Sequence, residues 1–174
     1  MQPDAAAVRT FAVSERMNQI LIEHLDPSVW RAKPPGKVRT IAAIVTHMHN
    51  VRCKWVRLTA PHLGVPRLLN RAHCMPEEAR AGLAESAVRC EEMLAGALGD
   101  RGSRIATFRR DGWASPWPAG VEMLGYMLSH EAHHRGQICM LTHQLGFPLP
   151  NRVTSRMWSW EGLWKESGGP GSSS

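Results

Sequence analysis

The sequence predicts an all-α protein, a four-helix bundle with an additional short C-terminal helix. Three observations lead there. Four long stretches repeat their apolar residues at helical spacings of three and four. Clusters of proline and glycine punctuate the chain between them. No stretch carries the period-two alternation of a half-buried strand, and no internal repeat is present.

The first helix covers Asp4 to His24, with Val8, Phe11, Ile20, Leu21 and Leu25 as apolar contributors, and stops near Asp26-Pro27. Pro27 to Lys37 reads as a loop, because Pro34-Pro35-Gly36 cannot continue a helix. The second helix runs from Thr40 to Leu58 on a stripe of Ile41, Ile44, Met48, Val51, Trp55 and Leu58. His47 lies at the edge of that stripe, three residues after Ile44 and four before Val51. A connection from Pro61 to Cys74 follows. Met75-Pro76-Glu77-Glu78 then opens a third helix, with proline early and acids in the first turn, where the helix dipole favours them. It continues through Leu83, Cys90 and Leu94 to Leu98 and stops at Gly99. Asp100 to Pro118 is irregular and carries Arg101, Arg104, Arg109 and Arg110; a loop this long in a compact domain is often functional.

The fourth helix spans Gly120 to Gly146 and ends at a glycine C-cap, with Pro148 and Pro150 beyond. A last short helix over Arg156 to Trp164 places Trp158, Trp160 and Trp164 against the bundle. The expected organisation is one domain over residues 1–166, followed by a flexible Gly/Ser/Pro tail over 167–174.

A chain of 174 residues with 43% hydrophobic residues can bury a sizeable core. Its formal net charge of +6 raises the question of nucleic acid. The Lys and Arg residues are scattered, however, with no basic run and no DNA-reading motif, so a solvated surface is the better reading. No apolar run reaches the length of a membrane span, and MQPDAAAVRTF lacks the pattern of a signal peptide. Cys53, Cys74, Cys90 and Cys139 show no CxxC and no paired spacing, which fits reduced thiols in a cytoplasmic protein.

The chemistry concentrates in the fourth helix. Met123, Met127, Ile138, Leu141 and Leu145 form its buried stripe, and His130 and His134 fall on the same stripe. Four residues apart on a helix, two side chains sit one above the other on one face. Two imidazoles so placed can share one metal ion, whereas without a partner they would be polar groups left unsatisfied in a core. A zinc or nickel site needs at least three protein ligands, the third from another helix facing the same core. His47 is best placed by its own stripe. His49 points elsewhere, His133 is turned by about a hundred degrees from His134, and His24, His62, His73 and His143 lie at helix ends or in a loop.

The run His130-Glu131-Ala132-His133-His134-Arg135-Gly136-Gln137-Ile138, with Leu145-Gly146 and a proline-rich exit, resembles the DinB/YfiT-like family. So does Arg39 to His47 leading to Trp55. The resemblance extends from the first helix to about Pro150. It implies a four-helix bundle that holds one divalent metal, zinc or nickel, through three histidines, matched here by His47, His130 and His134. It also implies a small-molecule substrate and a thiol S-transferase or isomerase chemistry using a low-molecular-weight bacterial thiol. A homodimer is compatible with this reading, and neither nucleic acid nor a membrane is an expected partner.

The same residues spell His130-Glu131-x-x-His134, the zincin signature. In that alternative Glu131 is the general base of a metal-dependent hydrolase, with Glu161 or Glu166 as third ligand. Gln137 and Met140 stand where the metzincin extension needs Gly and His. A third reading is a metal that only staples the bundle, against which three ligands rather than four count. Asn50 and Lys54 share the face of His47 and are candidates to touch substrate. Arg109 and Arg110 are candidates to hold a carboxylate. Arg135 and Gln137 belong to the motif, in either a structural role or one that orients a ligand from behind. The general base is not identifiable from the sequence.

Overall fold

The computed structural model of the chain describes residues 3–99 and 104–168. Its elements run α1 Pro3–Glu23, α2 Ile41–Thr59, α3 Pro76–Leu98, β1 Thr107–Phe108, β2 Trp117–Pro118, α4 Val121–Gln144, α5 Asn151–Met157 and α6 Trp160–Glu166. The all-α reading therefore holds. α1 and α2 each pack chiefly against both α3 and α4, so α1 lies diagonally across the bundle from α2. No helix among the described residues is long and apolar enough to cross a membrane.

Local chemistry sets the helix ends. The Thr40 hydroxyl accepts from the Ala43 amide at 3.2 Å and caps α2. Pro76 fills the first position of α3, where no amide partner is needed, and Glu77 and Glu78 face the positive end of the helix. At the end of α4 the Phe147 amide donates to Thr142 O at 2.9 Å and the Gly146 amide to His143 O at 3.1 Å. Gly146 has φ +83°, so this is a Schellman closure in which a side chain would be strained.

Three features depart from the sequence reading. Residues within the expected irregular stretch pair as a minimal ribbon, Thr107 opposite Pro118 and Phe108 opposite Trp117. Two residues per strand are too few to show alternation. Arg101, which that reading also named, lies outside the described residues. At the C-terminus two short helices replace one. Pro150 starts α5 and Val153 and Met157, one turn apart, are buried; the chain then breaks at Trp158-Ser159 and restarts. Of the three tryptophans expected against the bundle only Trp164 packs there, while Trp158 and Trp160 are exposed. Ser167 and Gly168 form a turn after α6, and 169–174 of the expected tail lie outside the described residues.

The core is divided into two apolar clusters. One gathers Ile20, Leu21, Trp30, Ile41, Leu83 and Ile138; the other gathers Phe11, Trp55, Met93, Phe108, Met123 and Met127. Ser14, Glu15 and Asn18 of α1, Arg52 of α2 and Glu131 of α4 are buried polar residues of this interior. Glu131 accepts from Arg52 Nε at 3.0 Å and Nη2 at 2.7 Å, and from Asn18 Nδ2 at 2.6 Å. Arg52 Nη2 also reaches Glu15 at 2.7 Å, and its Nη1 donates to Leu83 O at 2.9 Å. Arg135 donates to Ser14 Oγ at 2.8 Å and Asn18 Oδ1 at 3.0 Å. Charges buried this deeply are tolerable because every one is met by an opposite charge or a hydrogen bond.

Candidate metal centre

α2 and α4 face one another, and this brings His47 of the first against His130 and His134 of the second. One nitrogen from each ring falls within 4.8 Å of the others. The ring centroids lie 5.5 Å apart for His47 and His130, 4.9 Å for His47 and His134, and 4.5 Å for His130 and His134. Trp55, fully buried one helical turn past Val51, backs the cluster with its ring centroid 5.1 Å from that of His130.

The electrostatics keep His47 and His134 available as neutral donors. Burial, followed by the neighbouring His134, Arg39 and His130, lowers the His47 pKa to about 4. Burial also lowers that of His134, partly opposed by its hydrogen bond to Gln137. That bond runs from His134 Nδ1 to Gln137 Oε1 at 2.7 Å. An amide oxygen accepts only, so Nδ1 carries the proton and Nε2 is left with its lone pair. Gln137, one turn on, thus fixes the tautomer of His134, the role that partners behind metal-bound histidines commonly play. His130 Nδ1 is buried and has no hydrogen-bond partner. Glu131 Oε1, at 3.9 Å, is beyond hydrogen-bonding reach. A buried nitrogen without a partner, beside two neutral imidazoles, fits a divalent cation among these three rings.

The other sequence candidates fall elsewhere. His49 is fully buried, with Nδ1 at 2.8 Å from Gly82 O and Nε2 at 2.9 Å from Arg67 O. Both its nitrogens are engaged. A Cβ at Gly82 would lie 3.3 Å from the His49 ring, so glycine makes room for this contact. Asn50 exchanges two hydrogen bonds with the Leu69 backbone, at 3.0 and 2.9 Å, and staples the connection to α2. Lys54 pairs with Asp111 at 2.9 Å. The Arg110 guanidinium covers the Trp117 and Tyr126 rings at 5.3 and 5.5 Å, and the Arg109 backbone bonds to Thr59. Glu161 pairs with Lys165, and Glu166 with Arg16 and Arg156; neither joins the histidines.

Glu131 Oε1 lies 3.9 Å from His130 Nδ1, but the carboxylate is taken up by Arg52. Burial opposes its charge, but the Arg52 guanidinium more than compensates and holds the carboxyl below its ordinary range. A carboxylate held by a buried arginine and an asparagine is a poor proton acceptor, which weakens the hydrolase alternative on its own key residue. Arg52, Glu15 and Asn18 escaped the sequence reading. The signal was there: Arg52 is four residues after Met48 and three before Trp55, and Glu15 and Asn18 continue the spacing from Phe11.

Two clefts flank the histidines. One, of about 580 Å³, has His134, Gln137, Ile44 and Arg39 on its walls; the other, of about 240 Å³, has His47, Asn50, Arg71 and Arg39.

An all-helical bundle with three converging histidines on two facing helices defines the class. The DinB family model matches residues 1–162, and the chain belongs to the DinB family. A crystal structure assigned to the DinB family, from Exiguobacterium sibiricum, is similar in fold, with a TM-score of 0.62 at 19% identity, covering 88% of this chain and 98% of that one. No curated protein matches the chain.

Proposed function

We propose that the protein holds one divalent transition metal, zinc or nickel, through His47, His130 and His134, and is a metal-dependent thiol S-transferase acting on a small molecule. The observation that carries this is the convergence of three donor nitrogens within 4.8 Å beside open clefts, with no fourth protein ligand among the described residues. Structural zinc sites are usually closed by four ligands, so the ligand count favours a working site over a staple. When bound, a divalent ion stabilises a thiolate at a pH where the free thiol is mostly protonated. The chain's own residues supply the rest. Gln137 holds the His134 tautomer, burial keeps His47 neutral, and the Arg52–Glu131 pair fixes α4 against α2. All four cysteines are free, in keeping with a reducing cytoplasmic setting.

The test is spectroscopic. Cobalt-substituted protein should develop a sulfur-to-cobalt charge-transfer band when a low-molecular-weight thiol is added. A panel including glutathione and coenzyme A that leaves the cobalt spectrum unchanged would remove the transferase reading. A metal-dependent hydrolase would then be tested next.

A further inference from the structure

The two clefts share one wall residue, Arg39, which stands just before the Thr40 cap of α2. Lys37 adds a second cation to the larger cleft, and Arg71 adds one to the smaller. All three side chains are exposed. Among the described residues no Asp or Glu lines either cleft. No ion pair holds Lys37, Arg39 or Arg71 among the described residues, whereas Lys54, Arg89 and Arg16 are paired with Asp111, Glu92 and Glu166. The walls beside the histidines are therefore lined with positive charge and without a counter-charge. Clefts walled by one sign of charge concentrate ligands of the other. The larger is also of a size that takes a small molecule, with Ile44, Leu141 and Met140 giving it apolar surface.

We infer that the small molecule bound at the three-histidine centre carries an anionic group, a carboxylate or a phosphate, and that Arg39 is the residue that holds it. This rests on the metal reading above for the position of the other end of the molecule. A planar guanidinium offers two parallel donors to either anion, and such charge-assisted pairs are stronger than neutral ones. Arg39 is central because it borders both clefts; Lys37 and Arg71 each border one.

The experiment uses cobalt-loaded full-length protein and two thiols of similar size, 3-mercaptopropionate and 2-mercaptoethanol, at low ionic strength. The carboxylate-bearing thiol should bind about tenfold more tightly, the gain of one charge-assisted contact. Arg39→Ala should erase that preference, so that the variant binds the two thiols with equal affinity, and Arg39→Lys should keep part of it. Inorganic phosphate and succinate are then added as competitors; the stronger one names the anion. Equal affinity for the two thiols, or a preference that survives Arg39→Ala, would overturn the inference while leaving the metal reading intact. Protein that takes up no cobalt would instead sink the metal reading. In that event phosphate and succinate are titrated against wild type and Arg39→Ala by calorimetry, and the absence of Arg39-dependent binding overturns the anion site on its own.

Discussion

Glu131 lies between His130 and His134 of α4, yet its carboxylate grips the Arg52 guanidinium of α2 at 3.0 and 2.7 Å. Both partners have fully buried side chains. One helix thus presents two kinds of polar chemistry to α2, imidazoles beside His47 and a carboxylate against the buried Arg52. The pair ties α4 to α2 and so sets the distance across which His47 meets His130 and His134.

Breaking this pair from one side should be costly. Arg52→Ala leaves a buried carboxylate without its partner, and a loss of roughly 3–5 kcal/mol in unfolding free energy is expected. Removing both charges together, as Arg52→Met with Glu131→Leu, should lose less than the sum of the single changes. Urea unfolding of the four proteins measures the coupling. Strict additivity would mean that the two groups do not interact.

The hydrolase alternative meets its test at the same residue. Wild-type protein is expected to show no chelator-sensitive cleavage of casein. Robust cleavage, lost in Glu131→Gln while metal stays bound, would make Glu131 a general base despite its pairing with Arg52.

The fold and the histidine cluster were legible because both follow from helical periodicity. Spacings of three and four placed α1 to α4 within a few residues of their observed ends, and the same rule put His130 and His134 on one face and His47 toward it. What the sequence hid was non-local. Arg52 sits on an apolar stripe, but its partners Glu15 and Glu131 come from other helices, so only packing reveals a satisfied pair and not an exposed charge. α5 was missed because Asn151–Met157 offers just two apolar residues for a pattern. The β1–β2 ribbon is held by Phe108 packing among Trp55, Trp117 and Tyr126, a long-range arrangement with no local signature. Lys54, read as a substrate contact from its face on α2, is taken by Asp111 from across the chain.

Acid should destabilise the metal-free protein through His47. Its folded-state pKa is about 4, below the 6.5 of an unperturbed histidine, so the unfolded chain takes up a proton first as pH falls. The contribution to stability is whole above pH 6.5, declines between there and pH 4, and is gone below. Urea midpoints of chelator-treated protein should fall across that window. His47→Asn should flatten part of the fall; an unchanged slope would assign it to other groups.

Gln137 should matter through His134 alone. Gln137→Leu removes the acceptor of the Nδ1 proton and leaves the ring free to adopt the other tautomer. Metal affinity is expected to drop by about 10–100-fold, the usual effect of losing a partner behind a ligand, with little change in the unfolding midpoint of the metal-free form. Competition with a fluorescent chelator reads the affinity. A variant that binds as tightly as wild type would show that the bond does not orient the ring.

Metal stoichiometry of the purified protein and its histidine variants tests the central claim most directly. Elemental analysis should find about one divalent transition metal ion per chain in the wild type. His47→Ala, His130→Ala and His134→Ala should each lose most of it, while His49→Ala, His133→Ala and His143→Ala keep it. Full occupancy in all three of the first group, or its loss in His49→Ala with His47→Ala unaffected, would contradict the three-histidine centre.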